Sequence, residues 1–395
     1  MPAEQLPVYL DHNATTPVDP LVLEAMLPFF TEHFGNASST NHPYGRKAAE
    51  AVQQAREQVA QLVGAIPEEI IFTAGATESA NMAIKGVFET YAAKGNHIIT
   101  TQIEHSAVLK TCAALEQRGA EITYVPVNSD GRADVAAIEK AIRPGTILIA
   151  VMFANNETGV IQPIREIGAL ARKHDIIFFT DAAQAVGKIP VDVSENQISL
   201  LAMSAHKLYG PKGIGALYVR RKNPRVQLAA QVHGGGQEKG KRSGTLNVPG
   251  IAGFGAAAAL CSKKMYDEAK RLSVLRNLLE EQLLASGATV NGSREHRLPH
   301  VTNLYFTGAQ AQALMSGLYP YVSASGGSAC ATGTYEPSHV LKAMGLSDEQ
   351  ALGALRLSLG RFTTEEETAR AAQAIIKVVN SLQASFIKMT GDTVN

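Results

Sequence analysis

The feature that most constrains this chain is an alternation of two hydrophobic patterns between about residues 48 and 220. Short β-rich runs such as EEIIFT, NHIITT and DIIFFTD are separated by longer segments whose apolar residues recur at helical spacing. One such segment carries Ala80, Ile84, Val87, Phe88 and Tyr91. This alternation is typical of strand–helix–strand units. We therefore predict an α/β fold with a mostly parallel sheet and helices outside it.

The pattern changes near Pro249, where a helical reading runs through AAAALCSKKMYDEAKRLSVLRNLLEEQLLA and shorter mixed segments follow. A chain of 395 residues is too long for one ordinary hydrophobic core. We therefore expect a large α/β domain with a smaller companion, and we predict that the boundary lies in this long helix.

Composition limits the classes of partner. Lys plus Arg and Asp plus Glu both number 36, and neither sign forms a long block. The sequence therefore shows no electrostatic footprint for nucleic acid or an anionic membrane, and we expect a small-molecule substrate. The segment MPAEQLPVYLDHN lacks a basic stretch followed by an apolar run, and no later apolar stretch could span a bilayer, so we expect a cytoplasmic protein.

The chain has three cysteines with no CxxC spacing, which argues against a disulfide framework and against a structural zinc, so we predict no metal site. Cys330 lies in SASGGSACATG, a loop of small residues, where we expect the thiol to be accessible and reactive. Cys112 and Cys261 lie in apolar helical stretches, and we interpret them as core residues.

Polar residues follow several of the predicted strands. Ligands of open α/β sheets bind outside the carboxyl ends of the strands. TAGATESAN places Thr77 where a strand ends and a helix begins, a position suited to a phosphate. FFTDAAQ places Asp181 at a strand end and Gln184 just beyond it, and a carboxylate there can keep a pyridinium nitrogen protonated. Taken alone, Thr77 or Asp181 is more often an ordinary helix cap.

A third strand end, in SLLAMSAHKLYGPKGIGALYV, carries Ser204, His206 and Lys207. A lysine beside a glycine-rich turn can form a Schiff base, with polar neighbours directed at a phosphate. Most such lysines are only surface charges. Together with Thr77 and Asp181, however, that reading requires three coincidences at equivalent strand ends. We therefore predict that Lys207 carries pyridoxal phosphate.

Three more residues join this set. His105 in TTQIEHSAV could stack on a flat cofactor ring and move protons, although a lone histidine there is more often a hydrogen-bonded core residue. Asn156 in AVMFANNETGV could orient a ring oxygen or the substrate. Thr245 in HGGGQEKGKRSGT is a candidate for a second phosphate contact, and the alternative for this stretch is a flexible connection.

With these residues assembled, the chain resembles the pyridoxal-phosphate-dependent cysteine desulfurases of the NifS and IscS type, within the class V aminotransferase group. The resemblance runs from about VYLDHNATTPVDP to LRLSLGRFTTEEE. The motifs that carry it are GATES, QIEHSAV, NNETGV, TDAAQAVGKIPVDV, SAHKLYGPKGIGALYVR, GGGQEKGKRSGT and SACATGTYEPSHVL.

The resemblance implies a fold and a domain division. The fold would be that of the type I pyridoxal-phosphate-dependent transferases, whose large domain has a mostly parallel seven-stranded sheet flanked by helices. The large domain would cover residues 16–261. A smaller α+β domain, made of residues 1–15 and 262–395, would carry the catalytic cysteine loop.

The resemblance also implies a role for each cofactor residue. Lys207 would form the internal aldimine, and Asp181 would pair with the ring nitrogen. Gln184 would bind the ring hydroxyl, and His105 would stack on the ring and transfer protons. The phosphate would be held by Thr77, Ser204 and His206, and by Thr245 from the second subunit of a homodimer.

The resemblance further implies a reaction. Asn156 and Arg356 would hold the substrate carboxylate, Arg356 through a bidentate pair. L-Cysteine would become L-alanine, and a persulfide would form on Cys330 and pass sulfur to an acceptor such as an iron–sulfur scaffold. One alternative is a selenocysteine lyase or another class V enzyme in which Cys330 is incidental. A second alternative, a binding module without turnover, predicts loss of Lys207 or Asp181, and both are present.

Overall fold

The structure, a computed structural model, describes residues 6–309, 311–326 and 336–391, so the predicted nucleophile Cys330 lies outside the described residues. The strands are β1 (Val8–Tyr9), β2 (Ile70–Thr73), β3 (His97–Thr101), β4 (Glu121–Val125), β5 (Thr146–Ala150), β6 (Ile177–Asp181), β7 (Leu200–Ser204), β8 (Gly215–Val219), β9 (Ala288–Val290), β10 (Val301–Phe306), β11 (Val322–Ser323), β12 (Ser325–Gly326) and β13 (Ala354–Ser358). The helices are α1 (Pro20–Met26), α2 (Pro28–Thr31), α3 (Pro43–Leu62), α4 (Ala76–Thr90), α5 (Ser106–Glu116), α6 (Val135–Ala141), α7 (Ile164–Lys173), α8 (Val248–Ala285), α9 (Ala311–Leu318), α10 (His339–Ala343), α11 (Asp348–Leu352) and α12 (Glu365–Gly391).

The central sheet contains seven strands in the order β2-β8-β7-β6-β5-β3-β4. Strand β8 runs antiparallel to its neighbours β2 and β7, and the other neighbouring pairs are parallel. The predicted α/β fold with a mostly parallel seven-stranded sheet is therefore confirmed.

Both faces of this sheet are buried under helices. Neighbouring residues of β6, Phe178 and Phe179, pack into two different hydrophobic clusters because successive side chains of a strand point to opposite faces. Apolar residues of α3, α7 and α8 complete one cluster, and those of α4 and α5 complete the other. Cys261 on α8 and Cys112 on α5 are buried, one in each cluster, in line with their interpretation as core residues.

A second, antiparallel sheet has the order β12-β13-β10-β9, and the short strand β1 pairs in parallel with β11. Helix α8 joins the two cores. Its residues up to Cys261 pack against the central sheet, and from Leu272 onward they pack into the core of the second sheet. The exact division into residues 16–261 and residues 1–15 with 262–395 stays a prediction.

The two sheets meet at the edge where the parallel strands end. The backbone N–H of Asn13 donates to the side chain of Ser358, the last residue of β13. Arg356, on the same strand, donates to the carbonyl oxygen of Asn156, which follows β5 in the chain. The carboxyl edge of the central sheet is therefore closed on one side by β13.

Within the described ranges, no helix is both long and apolar enough to cross a membrane. In that same part of the chain, His, Cys, Asp and Glu side chains form no group of three or more suited to a metal ion. The cytoplasmic location stays a prediction.

Candidate active site

A pocket at the carboxyl edge of the central sheet collects five of the predicted residues. These are Thr77, His105, Asn156, Asp181 and Gln184, and the remaining lining comes from Ala76, Met152, Ala154 and Ala183. Asp181 ends β6, and the others follow β2, β3, β5 and β6 in the chain. The end-of-strand argument therefore brings together residues that are up to about a hundred positions apart in the sequence.

Lys207 lies in a short 3₁₀ turn that follows β7, and it shares the carbonyl oxygen of Asn13 as an acceptor with Gln184 of the pocket. Its Nζ donates to the carbonyl oxygen of Asn13 and, at 2.8 Å, to that of Ala14. Burial, assisted by the charge of Arg356, lowers the pKa of Lys207 to about 8, while Asp181 acts in the opposite direction. A lysine with a lowered pKa is available as a neutral amine, the form that attacks a carbonyl or accepts a proton.

Asp181 presents a carboxylate to the pocket from a buried position. One oxygen, Oδ1, accepts a hydrogen bond from the N–H of Ala183 at 3.0 Å. The other, Oδ2, has no hydrogen-bond partner among the described residues. Burial raises the pKa of Asp181, and the neighbouring His105 and Lys207 oppose that effect. A cationic group in the pocket would stabilise the ionised carboxylate, so this position fits a protonated pyridine nitrogen.

The start of α4 supplies a site for an anion. As the first residues of a helix, Ala76, Thr77 and Glu78 have backbone N–H groups without a partner within the helix. The helix dipole also favours negative charge there. Gly75 precedes the helix with φ +157°, and a Cβ at this position would lie 3.7 Å from Oγ of Ser204. The Ser204 hydroxyl therefore lies beside the helix start.

His105 and Gln184 have defined orientations. His105 precedes α5, and its Nδ1 accepts from the N–H of Ala107 at 3.1 Å. A neutral His105 ring therefore carries its proton on Nε2. Gln184 donates from Nε2 to the carbonyl oxygen of Asn13 at 3.0 Å. Each side chain thus keeps a polar atom that can serve a ligand in the pocket.

Arg356 enters the site from β13 and is buried. Its Nη1 donates to the carbonyl oxygen of Asn156 at 3.0 Å, and its Nη2 donates to Asp11 at 2.6 Å and to Ser325 at 2.8 Å. Its Nε is buried without a hydrogen-bond partner in the described part of the chain. A buried guanidinium with an unused donor is suited to a carboxylate ligand.

Like Ser204, Lys207 and Arg356, two further predicted residues do not line this pocket. His206 has Nδ1 at 3.1 Å from the hydroxyl of Thr15, and burial, with Lys207 and Lys212, lowers the pKa of His206 to about 4. Thr245 is exposed in the segment before α8. An ion pair of 2.8 Å between Arg242 and Glu78 joins that segment to α4.

Described residues on either side of the Cys330 segment, residues 327–335, contact the site. Ser325 accepts a hydrogen bond from Arg356 and donates to Asp11 at 2.9 Å. Ser338 donates to the carboxylate of Glu157, the neighbour of Asn156. Of these two flanking residues, Ser325 therefore lies beside Arg356, and Ser338 lies beside Glu157.

Sequence reasoning missed several polar residues of the site. Asp11 and Asn13 belong to a motif that served only as the start of the resemblance, although a polar triplet directly after the apolar run VYL is a signal of its own. Glu104 was also missed. It is fully buried, accepts from Thr101 at 2.6 Å and from the N–H of Met152 at 3.0 Å, and burial raises its pKa to about 8.

These observations fit pyridoxal phosphate as the ligand of the pocket. A buried carboxylate with a free oxygen and a helix start with unpaired N–H groups line one cavity. The Lys207 amine lies beside that cavity, because it donates to the same Asn13 carbonyl as the lining residue Gln184. These three groups match the ring nitrogen, the phosphate and the aldehyde of that molecule.

Comparisons with known proteins identify the family. The family model described as aminotransferase class V matches residues 8–370. A cysteine desulfurase IscS from Anaeromyxobacter sp. (strain Fw109-5) is 51% identical over 381 residues, which cover 96% of this chain and 94% of that protein. The structure of a NifS-like protein has a TM-score of 0.88 at 38% identity and covers 95% of this chain and 100% of its own. The structure of SspA in complex with cysteine has a TM-score of 0.79 at 39% identity, with coverages of 90% and 99%.

Proposed function

The chain belongs to the class V aminotransferase family and is a cysteine desulfurase, and from that premise we propose that it binds pyridoxal phosphate at Lys207 and transfers the sulfur of L-cysteine to Cys330. One observation carries the proposal. Lys207 and Arg356 both donate to the stretch between Asp11 and Ala14, and the charge of Asp181 acts on Lys207. An amine, a carboxylate and a carboxylate-binding guanidinium therefore share one site.

The cofactor residues are assigned by the donors and acceptors that they keep free. Lys207 forms the covalent link, and Asp181 pairs with the ring nitrogen. The start of α4, with Thr77 and Ser204, holds the phosphate, and His206 stays assigned to it through the resemblance. Gln184 serves the ring hydroxyl and His105 the ring face. When bound, pyridoxal phosphate supplies an electron sink for the charge that develops on the substrate Cα.

Arg356 and Asn156 bind the substrate carboxylate in this proposal. A bidentate pair uses Nε, which is free, together with Nη2, which now contacts Asp11 and Ser325. Nη2 must therefore exchange its bond to Ser325 for one to the substrate. Ser325 lies five residues before Cys330. The substrate carboxylate and Ser325 therefore compete for the same donor, Nη2 of Arg356.

Lys207 accepts the substrate α-proton on Nζ. Its pKa of about 8 leaves a fraction of the amine neutral at neutral pH. Once protonated, the ammonium can return to the carbonyl oxygens of Asn13 and Ala14, which stabilise its charge.

Cys330 then takes the sulfur. Its thiolate bonds to the substrate sulfur while the Cβ–S bond breaks, and the carbon side keeps the electron pair and is protonated to give alanine. Overall, L-cysteine and the Cys330 thiol become alanine and a Cys330 persulfide, with no added oxidant or reductant. Cys330 follows Gly326 by four residues, so the extended chain between their Cα atoms spans at most about 14 Å. This reach, measured from a strand that contacts Arg356, supports the assignment.

We also propose a homodimer and a protein acceptor. Thr245 is exposed and away from its own pocket, as expected of a residue that serves a partner's phosphate site. The first two helices expose apolar side chains suited to an interface. These are Leu21 and Leu23 on α1, Leu27 between the helices, and Phe30 on α2. Sedimentation of the full chain as a monomer at micromolar concentration would contradict the dimer.

A persulfide on Cys330 is suited to deliver sulfur to an acceptor such as an iron–sulfur scaffold.

Alanine release from L-cysteine tests the proposed function. The full chain should release alanine, and Lys207→Ala should lower the rate about a hundredfold or more, because the base and the covalent link are lost together. Lys173→Ala is the matched control, since Lys173 is an exposed lysine paired with Glu139 on the outer surface. Wild-type protein that releases no alanine, or Lys207→Ala at the wild-type rate, would contradict the proposal.

A further inference from the structure

Asn13 is a buried residue, 1% exposed, at which the two sheets and the site meet. Its backbone N–H donates to Oγ of Ser358 at 2.9 Å. Its side chain bonds to the carbonyl oxygen of Asn156 at 3.0 Å and to Nε2 of His300 at 2.9 Å. Its backbone carbonyl accepts from Gln184 and from Lys207. Every polar atom of Asn13 is therefore bonded.

The direction of the side-chain hydrogen bonds follows from their partners. The carbonyl of Asn156 can only accept, so Nδ2 of Asn13 donates to it. Oδ1 must then accept from Nε2 of His300. Complete burial lowers the pKa of His300 well below its ordinary value, so the ring is neutral and carries its single proton on Nε2. The Asn13 amide is thus held in one orientation by an acceptor on one side and a donor on the other.

We propose that Asn13 is a positioning residue for Lys207: its amide, fixed between His300 and Asn156, holds in place the backbone carbonyls of residues 13 and 14 that receive the lysine amine. The inference rests on the proposed function, because it concerns the lysine that acts as base there. Asn13, which is far from Lys207 in the sequence, thus determines where the Lys207 amine lies when that amine is not bonded to the cofactor.

The chemistry explains why this position matters. Carbonyl oxygens that accept from an ammonium form charge-assisted hydrogen bonds, which are stronger than neutral ones. They therefore favour the protonated lysine at one point in space. The carbonyl of Asn156 accepts from both Asn13 and Arg356, so the same amide also contacts the group that supports the carboxylate-binding arginine. A displaced Asn13 would disturb the base and, through Asn156, the substrate anchor.

Lys207 reports on this arrangement without any turnover. In the full chain before cofactor is added, competitive acetylation followed by mass spectrometry gives the pKa of its amine. The charged groups that act on it are Asp181, Arg356, Asp11 and Lys188. Asn13→Ala leaves all of them in place, whereas Asn13→Asp adds a carboxyl group beside the lysine, so the Lys207 pKa is compared only for Asn13→Ala. His206, its neighbour in the chain, is neutral above its pKa of about 4.

Asn13→Ala is the first variant. Loss of the amide should free the backbone at residues 13 and 14 and weaken the carbonyl contacts. The pKa of Lys207 should then fall by about one unit, as expected for the loss of a hydrogen bond to a charged group. In the holoenzyme, kcat for L-cysteine should fall about tenfold or more, with a smaller change in KM.

Asn13→Asp is the second variant and has nearly the same shape. When protonated, the introduced carboxyl group can still donate to Asn156, whereas the ionised carboxylate cannot and repels that carbonyl. The activity of this variant relative to wild type should therefore be highest at acid pH and decline as pH rises. Gln162→Glu is the matched control, because Gln162 is a buried amide bonded at both ends, to Ala133 and Gly131, outside the site.

The control should lower the melting temperature and leave the pKa of Lys207 and the relative pH profile as in wild type. The inference is wrong if both variants lose stability as Gln162→Glu does, while Asn13→Ala keeps the wild-type Lys207 pKa and Asn13→Asp keeps a flat activity ratio across pH. If Asn13→Ala fails to fold, the pH profile of Asn13→Asp still decides. The failure of the proposed function would look different, since wild-type protein would then release no alanine while acetylation of Lys207 still depended on Asn13.

Discussion

In the proposed function, Arg356 connects substrate binding to the segment that carries Cys330. Arg356→Lys should raise KM for L-cysteine about tenfold or more, because an ammonium offers a point charge in place of a planar pair of donors. The lysine ammonium also cannot reproduce the set of contacts that the guanidinium makes with Asp11, Ser325 and Asn156. Alanine release at varied L-cysteine concentration measures this effect.

Arg294→Lys is the matched control for that experiment. Arg294 pairs with Glu280 at 3.1 Å, and its side chain is 60% exposed, so the same exchange there should leave KM unchanged. An unchanged KM in Arg356→Lys would show that the substrate carboxylate binds elsewhere.

At this scale the end-of-strand pattern predicted the residues that follow strands, Arg356 on β13 was predicted only through the resemblance, and the contact of Asn13 with His300 was missed. Thr77, Asp181 and Lys207 could be located because the carboxyl ends of parallel strands share one edge. Asn13 and His300 could not, because their contact joins residues 287 positions apart and depends on how the second sheet packs. No local pattern encodes such a contact.

The stretch from Asp11 to Thr16 is an element held by neutral histidines. Nδ1 of His12 bonds to the carbonyl of Ser358, His206 contacts Thr15, and His300 contacts Asn13. Burial lowers the pKa of His12 and of His206 to about 4, and that of His300 also falls. Below the ordinary histidine pKa, the unfolded chain therefore binds more protons than the folded one.

Acidification should consequently destabilise this element. Stability should be lost as pH falls from about 6.5 towards about 4, the interval between the unfolded and folded values. The melting temperature should fall across this interval. Hydrogen exchange of the peptide that covers residues 10–17 should rise at a higher pH than exchange of the central strands.

His206→Gln provides the comparison for this measurement, because it removes one of these protonations and should reduce the slope. Glu104 acts in the opposite direction. Burial raises the pKa of Glu104 to about 8, so the folding stability that it contributes falls as pH rises from the ordinary glutamate pKa to about 8. This contribution is the same in wild type and in His206→Gln. Equal slopes in wild type and His206→Gln would contradict the account of this element.

The elements themselves were predictable to different degrees. The strands β6 and β7 are short runs of buried residues, and α8 includes the long stretch that the sequence predicts as helical, so both have local signals. Strands β1, β11 and β12 have two residues each, too few for any periodicity. They exist because β1 pairs with β11 and because β12 pairs with β13 at the edge of the second sheet. The strand order of the central sheet also depends on packing that sequence spacing does not determine.

Over the whole molecule, the proposed catalysis uses residues from both sheets. The central sheet supplies Lys207 and Asp181, and the second sheet supplies Arg356. The segment that carries Cys330 begins at β12, beside Arg356, and ends at Ser338, beside the loop after β5. The central claim is therefore that sulfur released at the edge of one sheet is received by a thiol attached to the other.

Mass spectrometry of the full chain after incubation with L-cysteine, under non-reducing conditions, tests that claim most directly. The account predicts that the peptide with Cys330 gains the mass of one sulfur atom while alanine forms, and that Lys207→Ala shows neither change. The buried Cys112 and Cys261 should stay unmodified in the same sample, which makes them internal controls. Alanine formation without added sulfur on Cys330, or with the sulfur on another cysteine, would contradict the account.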